Sequence, residues 1–257
     1  MRVATWNVNS LNARLDFFLH WLEARRPDVV GLQELKLADE QFPHARIEAA
    51  GYRALTHGQK GWNGVAIVSR APARVVQRGL QGQEGMGARL ITVEVEGLTF
   101  TTIYCPNGKT VEHEDYPRKL AWLDALAAHL DRHHDPGQPH LLCGDFNIVP
   151  AAIDSWNEEA LAGRLLHTDD ERLRFRRLLD WGFRDVLRER YPERPLFSWW
   201  DYRGGAFHRG MGLRIDFLLA TEILDRRIRH VEIDREYRKK KSGMIASDHA
   251  PVLADLE

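Results

Sequence analysis

The sequence predicts an α/β protein in which mixed β-sheets carry helices on their outer faces. Three observations lead there. Short apolar and β-branched runs recur throughout the 257-residue chain, and helical spacings interleave with them. Two of the runs, Leu90 to Val95 and Leu98 to Tyr104, flank Glu96-Gly97 like the arms of a hairpin. Hairpins make antiparallel neighbours and helical crossovers make parallel ones, so a chain with both builds mixed sheets.

The first run, Val3 to Val8, is followed by Leu15, Phe18, Leu19 and Leu22, which fall on one helical face at i, i+3, i+4 and i+7. The second run, Asp28 to Gln33, comes straight after, as in a strand-helix-strand crossover. Val65 to Ser69 precedes the hairpin. Leu120, Leu123, Ala127 and Leu130 mark a second helix, which leads into His140 to Cys143. A third helix covers Asp170 to Trp181, and the runs Ile215 to Ala220 and Val252 to Leu256 complete the set. No repeat, low-complexity tract or Pro/Gly/Ser-rich linker interrupts this order. The expectation is one domain over residues 1–257.

Composition sets outer limits on function. Hydrophobic residues at 44% and charged residues at 28% are those of an ordinary globular protein. The two cysteines, Cys105 and Cys143, offer neither a disulfide framework nor a cysteine-rich zinc site, and they fit a reducing compartment. No apolar stretch approaches a membrane span and the N-terminus lacks an apolar leader, so a cytoplasmic location without a membrane partner is expected. A net charge of -1 carries no signal for a polyanionic partner. The basic runs "RLRFRR" and "REYRKKK" read as solvated faces.

Chemistry collects where strands end. "TWNVN" carries Asn7 near the end of the first run, "GLQELK" delivers Glu34, "TIYCPNGK" delivers Tyr104 and Asn107, and "LLCGDFN" delivers Asp145 and Asn147. Asp216 stands between Ile215 and Phe217, where an unpartnered carboxylate would be costly to bury. His249 is one candidate partner, since a carboxylate on one ring nitrogen fixes the tautomer and favours imidazolium. The carboxylates Glu34, Asp145 and Asp248 with the amides of Asn7 and Asn147 make an all-oxygen set, suited to Mg²⁺, with Mn²⁺ as a substitute. If the chain stays extended, Asp145 and Asn147 point to one side. Such a set suits phosphoester hydrolysis, in which water is positioned and phosphate charge neutralised. Pro251 biases Ala250 to extended geometry, so a turn at Asp248-His249 would send the two side chains to different tasks.

These residues resemble a known family, the exonuclease III type of abasic-site endonuclease within the endonuclease/exonuclease/phosphatase superfamily. The likeness rests on "TWNVNS", "PDVVGLQELK", "GQKGWNGVAIVSR", "IYCPNG", "GDFNIVP", "FSWWDYRGGAF", "GLRIDFLLA" and "SDHAPV", in family order over nearly the whole chain. It implies a four-layer α/β sandwich, two packed mixed sheets with helices on both outer faces, and a Mg²⁺-dependent nuclease. Glu34 would be the principal metal ligand, with Asn7 and Asp248 close by. Asp145 would activate or orient water, Asn147 would stabilise the pentacovalent phosphate, and Tyr104 and Asn107 would contact it. His249, supported by Asp216, would bind phosphate or act as base.

The implied substrate is duplex DNA with abasic sites or 3' ends, handled by a monomer. Lys60 and Trp62 in "GQKGWNG", Lys119 at a helix start, and Trp199 and Arg203 in "SWWDYRGG" are the expected DNA contacts. Trp200 reads as core. Glu112, Glu114 and Asp115 form an acidic loop beside the site, which would repel DNA unless its charge were turned away. Two alternatives use the same residues: a phosphatase acting on a small or lipid phosphoester, and an inactive nucleic-acid-binding relative.

Overall fold

Alternation along the strands explains how the layers form. In β1 (Arg2–Asn7) Val3 faces one way while Ala4 and Trp6 face the other; in β2 (Val29–Gln33) Val29 opposes Val30 and Leu32. Both faces of these strands are apolar and buried, as strands covered on two sides require. The computed structural model describes residues 1–257. It adds β3 (Arg53–His57), β4 (Val65–Ser69), β5 (Arg74–Arg78), β6 (Leu90–Val95), β7 (Leu98–Tyr104), β8 (His140–Asp145), β9 (Phe183–Asp185), β10 (Asp216–Thr221), β11 (Ile228–Ile233) and β12 (Val252–Leu256).

The strands form two six-stranded sheets, in the orders β11-β12-β1-β2-β4-β3 and β5-β6-β7-β8-β10-β9. Within each sheet the central pair is parallel, β1 with β2 and β7 with β8, and every other pairing is antiparallel. The helices are α1 (Leu11–Arg25), α2 (His44–Ala49), α3 (Asp115–His133), α4 (Glu158–Leu161), α5 (Asp169–Trp181), α6 (Val186–Arg190) and α7 (Glu222–Asp225). The two long crossovers, α1 and α3, each join a parallel central pair.

Three apolar layers separate the four structural ones. Val3, Val29, Ile67, Val93, Phe100, Leu141 and Leu218 pack between the sheets. Phe17, Phe18 and Trp21 of α1 cover Trp6 and Leu32 on one outer face. Trp122, Leu126 and Leu130 of α3 and Phe175 of α5 cover Leu142, Phe217 and Leu219 on the other. The expected α/β sandwich is therefore present. Gly31 permits the close approach of the sheets at one point, because a Cβ there would meet Thr102 Oγ1 at 2.6 Å.

Helix ends account for one of the sequence's buried charges. Thr168 caps α5 by accepting from the Glu171 N–H, and the Glu171 carboxylate accepts in return from the Thr168 N–H at 3.1 Å, a reciprocal capping box. Glu171 is fully buried, and its other partner is Lys119 of α3. The expected helix from Asp170 thus begins one residue earlier, at Asp169, directly after its cap Thr168.

Candidate active site

The inward-facing rows that make the sandwich interior turn polar at one end. Along β8 the row is Leu141, Cys143, Asp145; along β10 it is Ala220, Leu218, Asp216; along β1 it is Val3, Thr5, Asn7. Register then aligns the polar ends, with Asp216 and Tyr104 both paired to Asp145, and Asn7 paired to Gln33. Beneath them Gln33 Nε2 donates to Thr5 Oγ1 at 2.9 Å and across the sheets to Thr102 Oγ1 at 2.7 Å. This polar layer divides the site from the apolar core.

Asn7 Nδ2 donates to Glu34 Oε1 and to Asp145 Oδ2, each at 2.9 Å, so one amide bridges carboxylates from the two sheets. Glu34 projects from a left-handed backbone (φ 54°) just past β2, an unfavourable geometry for a residue with a Cβ. Its other oxygen pairs with Lys36 at 2.9 Å, and Lys36 also donates to Asn9. Asn9 in turn donates to Asp248 at 2.9 Å.

His249 is buried beside Asp145. Its Nδ1 donates to Asp216 at 2.9 and 3.1 Å, and its Nε2 lies 3.8 Å from Asp145 Oδ2. Asp216 accepts a further bond from Ser198 Oγ at 2.6 Å. Burial disfavours a charged His249 ring, but Asp216, followed by Asp145 and Asp248, outweighs it and raises the imidazolium pKa. Burial pushes the Asp145 carboxyl up; His249 opposes this, while Asp216 and Glu34 add to it. Burial likewise lifts the Tyr104 phenol well above its usual range, reinforced by Glu34 and Asp145 and only partly offset by Arg89, whose guanidinium lies 5.0 Å from the ring centre. Tyr104 is a neutral donor at neutral pH.

The chain bends at Asp248, and the neighbouring side chains diverge as the proline context implied. Asp248 does not join the closest group of ligand atoms. Its oxygens accept from Asn9 and from Trp199 Nε1 at 3.0 Å, while Glu34, Asp145 and His249 bring ligand atoms within 4.8 Å of one another. Burial pushes the Asp248 carboxyl up, yet His249, Asn9 and Trp199 outweigh it and hold the group below its ordinary value. Glu34 and Asp145, two carboxylates bridged by the Asn7 amide with ligand atoms close together, fit a hard divalent cation. His249 is engaged by Asp216 and fits a charged donor better than a ligand.

Asn147 reaches the site by a different route from extended alternation. Its backbone is left-handed (φ 49°), and its N–H donates to Asp145 Oδ1 at 2.9 Å, so a turn places it there. Its amide oxygen accepts from Asn107 Nδ2 at 3.1 Å and its nitrogen donates to the Cys105 carbonyl at 2.9 Å. Its amide is thus held between Asn107 and Cys105, with its backbone N–H on the Asp145 carboxylate.

Of the expected DNA contacts, Lys119 requires correction. It is fully buried, with Nζ donating to the Asn147 carbonyl at 2.6 Å, the Asn107 carbonyl at 3.2 Å and the Glu171 carboxylate. A helix-start lysine can face either way, and here it ties the loops bearing Asn107 and Asn147 to α5. Trp62 is 72% exposed and lines a cleft of about 330 Å³ with Arg89, Tyr104 and Asn107. Lys60 is exposed nearby in the chain, Trp199 is half-buried against Asp248, and Arg203 is exposed and paired with Asp201. Trp200 is core, as expected. The acidic loop is partly neutralised: Asp115 pairs with Lys109 at 2.7 Å, and Arg118 reaches both Glu114 and Asp115.

Ser198, Asn9, Lys36 and Arg89 belong to the site without having been singled out from sequence. Lys36, Asn9 and Ser198 lie inside the quoted motifs, so proximity to Glu34, Asn7 and Trp199 was a usable signal. Arg89 becomes visible only through pairing, its carbonyl accepting from the Tyr104 N–H.

Comparison with known proteins places this geometry. Residues 4–249 match the model of the Endonuclease/Exonuclease/phosphatase family. The chain is 35% identical over 270 aligned positions to the exodeoxyribonuclease III of Haemophilus influenzae, covering 100% of both. It is 33% identical to an exodeoxyribonuclease of Bacillus subtilis, covering 98% of each. Among solved structures, a 3' phosphatase from Neisseria bound to a product DNA hairpin superposes with a TM-score of 0.94 at 37% identity, over 100% of this chain and 99% of that one. An AP endonuclease from Archaeoglobus fulgidus gives 0.95 at 34% identity with the same coverage.

Proposed function

The chain belongs to the endonuclease/exonuclease/phosphatase family, and on that premise we propose that it is a Mg²⁺-dependent DNA-repair phosphodiesterase that incises 5' to abasic sites and trims or cleans 3' ends. The observation that carries the reading is the buried line Ser198, Asp216, His249, Asp145, which reaches Glu34 through Asn7 at the open end of the sandwich. It is a metal-dependent nuclease, and the named relatives act as exonucleases, AP endonucleases and a 3' phosphatase.

Each residue takes a task its surroundings favour. Glu34 and Asp145 would hold the cation, with Asn7 orienting both carboxylates. Mg²⁺, when bound, supplies positive charge to the scissile phosphate and the leaving oxygen. Burial raises the proton affinity of Asp145, so its ionised carboxylate is suited to take the proton from an attacking water. His249, held as imidazolium by Asp216, presents an N–H to a phosphate oxygen. Asn147, Asn107 and the neutral Tyr104 phenol add uncharged donors where charge develops on the phosphorus substituents. Water's oxygen bonds to phosphorus as the bond to the departing ester oxygen breaks.

Trp62, Lys60, Trp199 and Arg203 are assigned to the DNA. Trp62 offers an exposed ring face beside the cleft, and Lys60 a cation for backbone phosphates. The reading includes action as a monomer and as one domain over 1–257, in the cytoplasm. No helix is long and apolar enough to cross a membrane.

The test uses purified protein with an abasic-site duplex, a recessed 3' end and a 3'-phosphate duplex in Mg²⁺. EDTA-sensitive incision or 3' processing is expected. Phosphate release from inositol phosphates, with no activity on any of the three duplexes, would overturn the assignment.

A further inference from the structure

At the far end of β8 from Asp145 lies a group of histidines that the nuclease site does not use. Five residue steps of strand separate His140 from Asp145, roughly 17 Å. His129 and His133 stand at i and i+4 in the last turn of α3, one helical face, with ring centres 4.8 Å apart. His134 caps that helix and its ring lies 5.3 Å from His129 and 4.6 Å from His140.

Two of these rings are buried with a nitrogen that meets no partner. His129 is 4% exposed and its Nε2 is unpaired; His140 is 1% exposed and its Nδ1 is unpaired. His140 Nε2 is 2.9 Å from Thr101 Oγ1, itself bonded to Thr92. When Nε2 donates to Thr101, Nδ1 keeps a free lone pair, as a ligating histidine does when its other nitrogen is held by a neighbour. Burial lowers the pKa of His140 to about 3 and of His129 to about 4, so both rings are neutral. An open cleft of about 280 Å³, lined by Glu94, His133, His134, Asp135 and His140, gives access from solvent.

We propose that His129, His133, His134 and His140 form a second metal site, for a borderline divalent transition ion of the Zn²⁺, Co²⁺ and Ni²⁺ class. Imidazole nitrogen is the ligand type this class prefers, and the i, i+4 pair is a chelating arrangement on a helix. The ring nitrogens are less tightly gathered than the ligand atoms of Glu34, Asp145 and His249. Loading therefore turns the exposed His133 and half-buried His134 inward about their side-chain torsions. The bound ion joins the end of α3 to the start of β8, stabilising the turn between them.

The test measures Co²⁺ and Zn²⁺ binding to the full chain carrying Glu34→Gln and Asp145→Asn, which remove the active-site carboxylates. One equivalent of Co²⁺ with visible d–d absorption is expected, and Zn²⁺ raises the unfolding temperature. Adding His133→Ala and His134→Ala weakens binding by at least about tenfold and abolishes the Zn²⁺ shift. The same two substitutions in the otherwise unaltered protein leave Mg²⁺-dependent incision unchanged. No uptake of Co²⁺ by the carboxylate variant, or uptake that survives loss of His133 and His134, would overturn the proposal.

Discussion

Asp216 shows how a costly residue is made tolerable. Its carboxylate is buried in a strand, yet Ser198 and His249 donate to it, so its charge is both paired and hydrogen-bonded. Asp216→Asn keeps the shape and removes the charge that raises His249. The His249 pKa therefore falls, and its ring signal in NMR should titrate at lower pH than in the parent. Incision should drop by about 10²–10⁴-fold, the range in which loss of an orienting carboxylate acts. An unchanged His249 titration would separate Asp216 from that role. The Asp216–His249 pairing was legible in sequence because a lone carboxylate in an apolar run demands a partner. Lys119 was not legible in the same way, since helical position alone does not decide whether a lysine faces water or the Asn107 and Asn147 carbonyls.

Among the elements, the unread strands share one position: β3, β5, β9 and β11 are the four sheet edges. Central strands announce themselves as unbroken apolar runs because both faces are covered. Edge strands such as Arg74–Arg78, with exposed residues alternating along it, carry charge that discourages pairing with other chains and erases the apolar signal. The core strands were found for the complementary reason. Gly31 lies where Thr102 of the facing sheet leaves no room for a Cβ, and its role could not be read before pairing was known. Gly31→Ala should cost about 1–3 kcal/mol in urea unfolding, since Thr102 and the sheet behind it must move. A loss within error of zero would mean that the sheets separate there without strain.

On the scale of the molecule, the two sheets repeat one pattern, each with a parallel central pair joined by a long outer helix and antiparallel flanks. No sequence repeat advertises this, because apolar residues satisfy the same layer without identity. The site forms where the inward rows of both sheets end together, so its residues are scattered from Asn7 to His249. Stability should respond to acid through the buried histidines. His140 and His129 have depressed folded pKa values, about 3 and about 4, so between pH 6.5 and pH 4 the unfolded chain binds more protons and folding weakens as pH falls. At pH 5 His140 accounts for up to about 2 kcal/mol of lost stability, and His140→Gln should flatten the fall in unfolding free energy measured without metal. A fall of the same steepness in that variant would assign the acid sensitivity to other groups. The central claim is that Asp145, set between Glu34 and the Asp216–His249 pair, drives metal-dependent phosphodiester cleavage. Single-turnover incision of an abasic-site duplex in Mg²⁺, compared between the parent and Asp145→Asn, tests it most directly. The account predicts a loss of about 10³-fold or more with the fold intact by circular dichroism; incision by the variant at the parent's rate would contradict it.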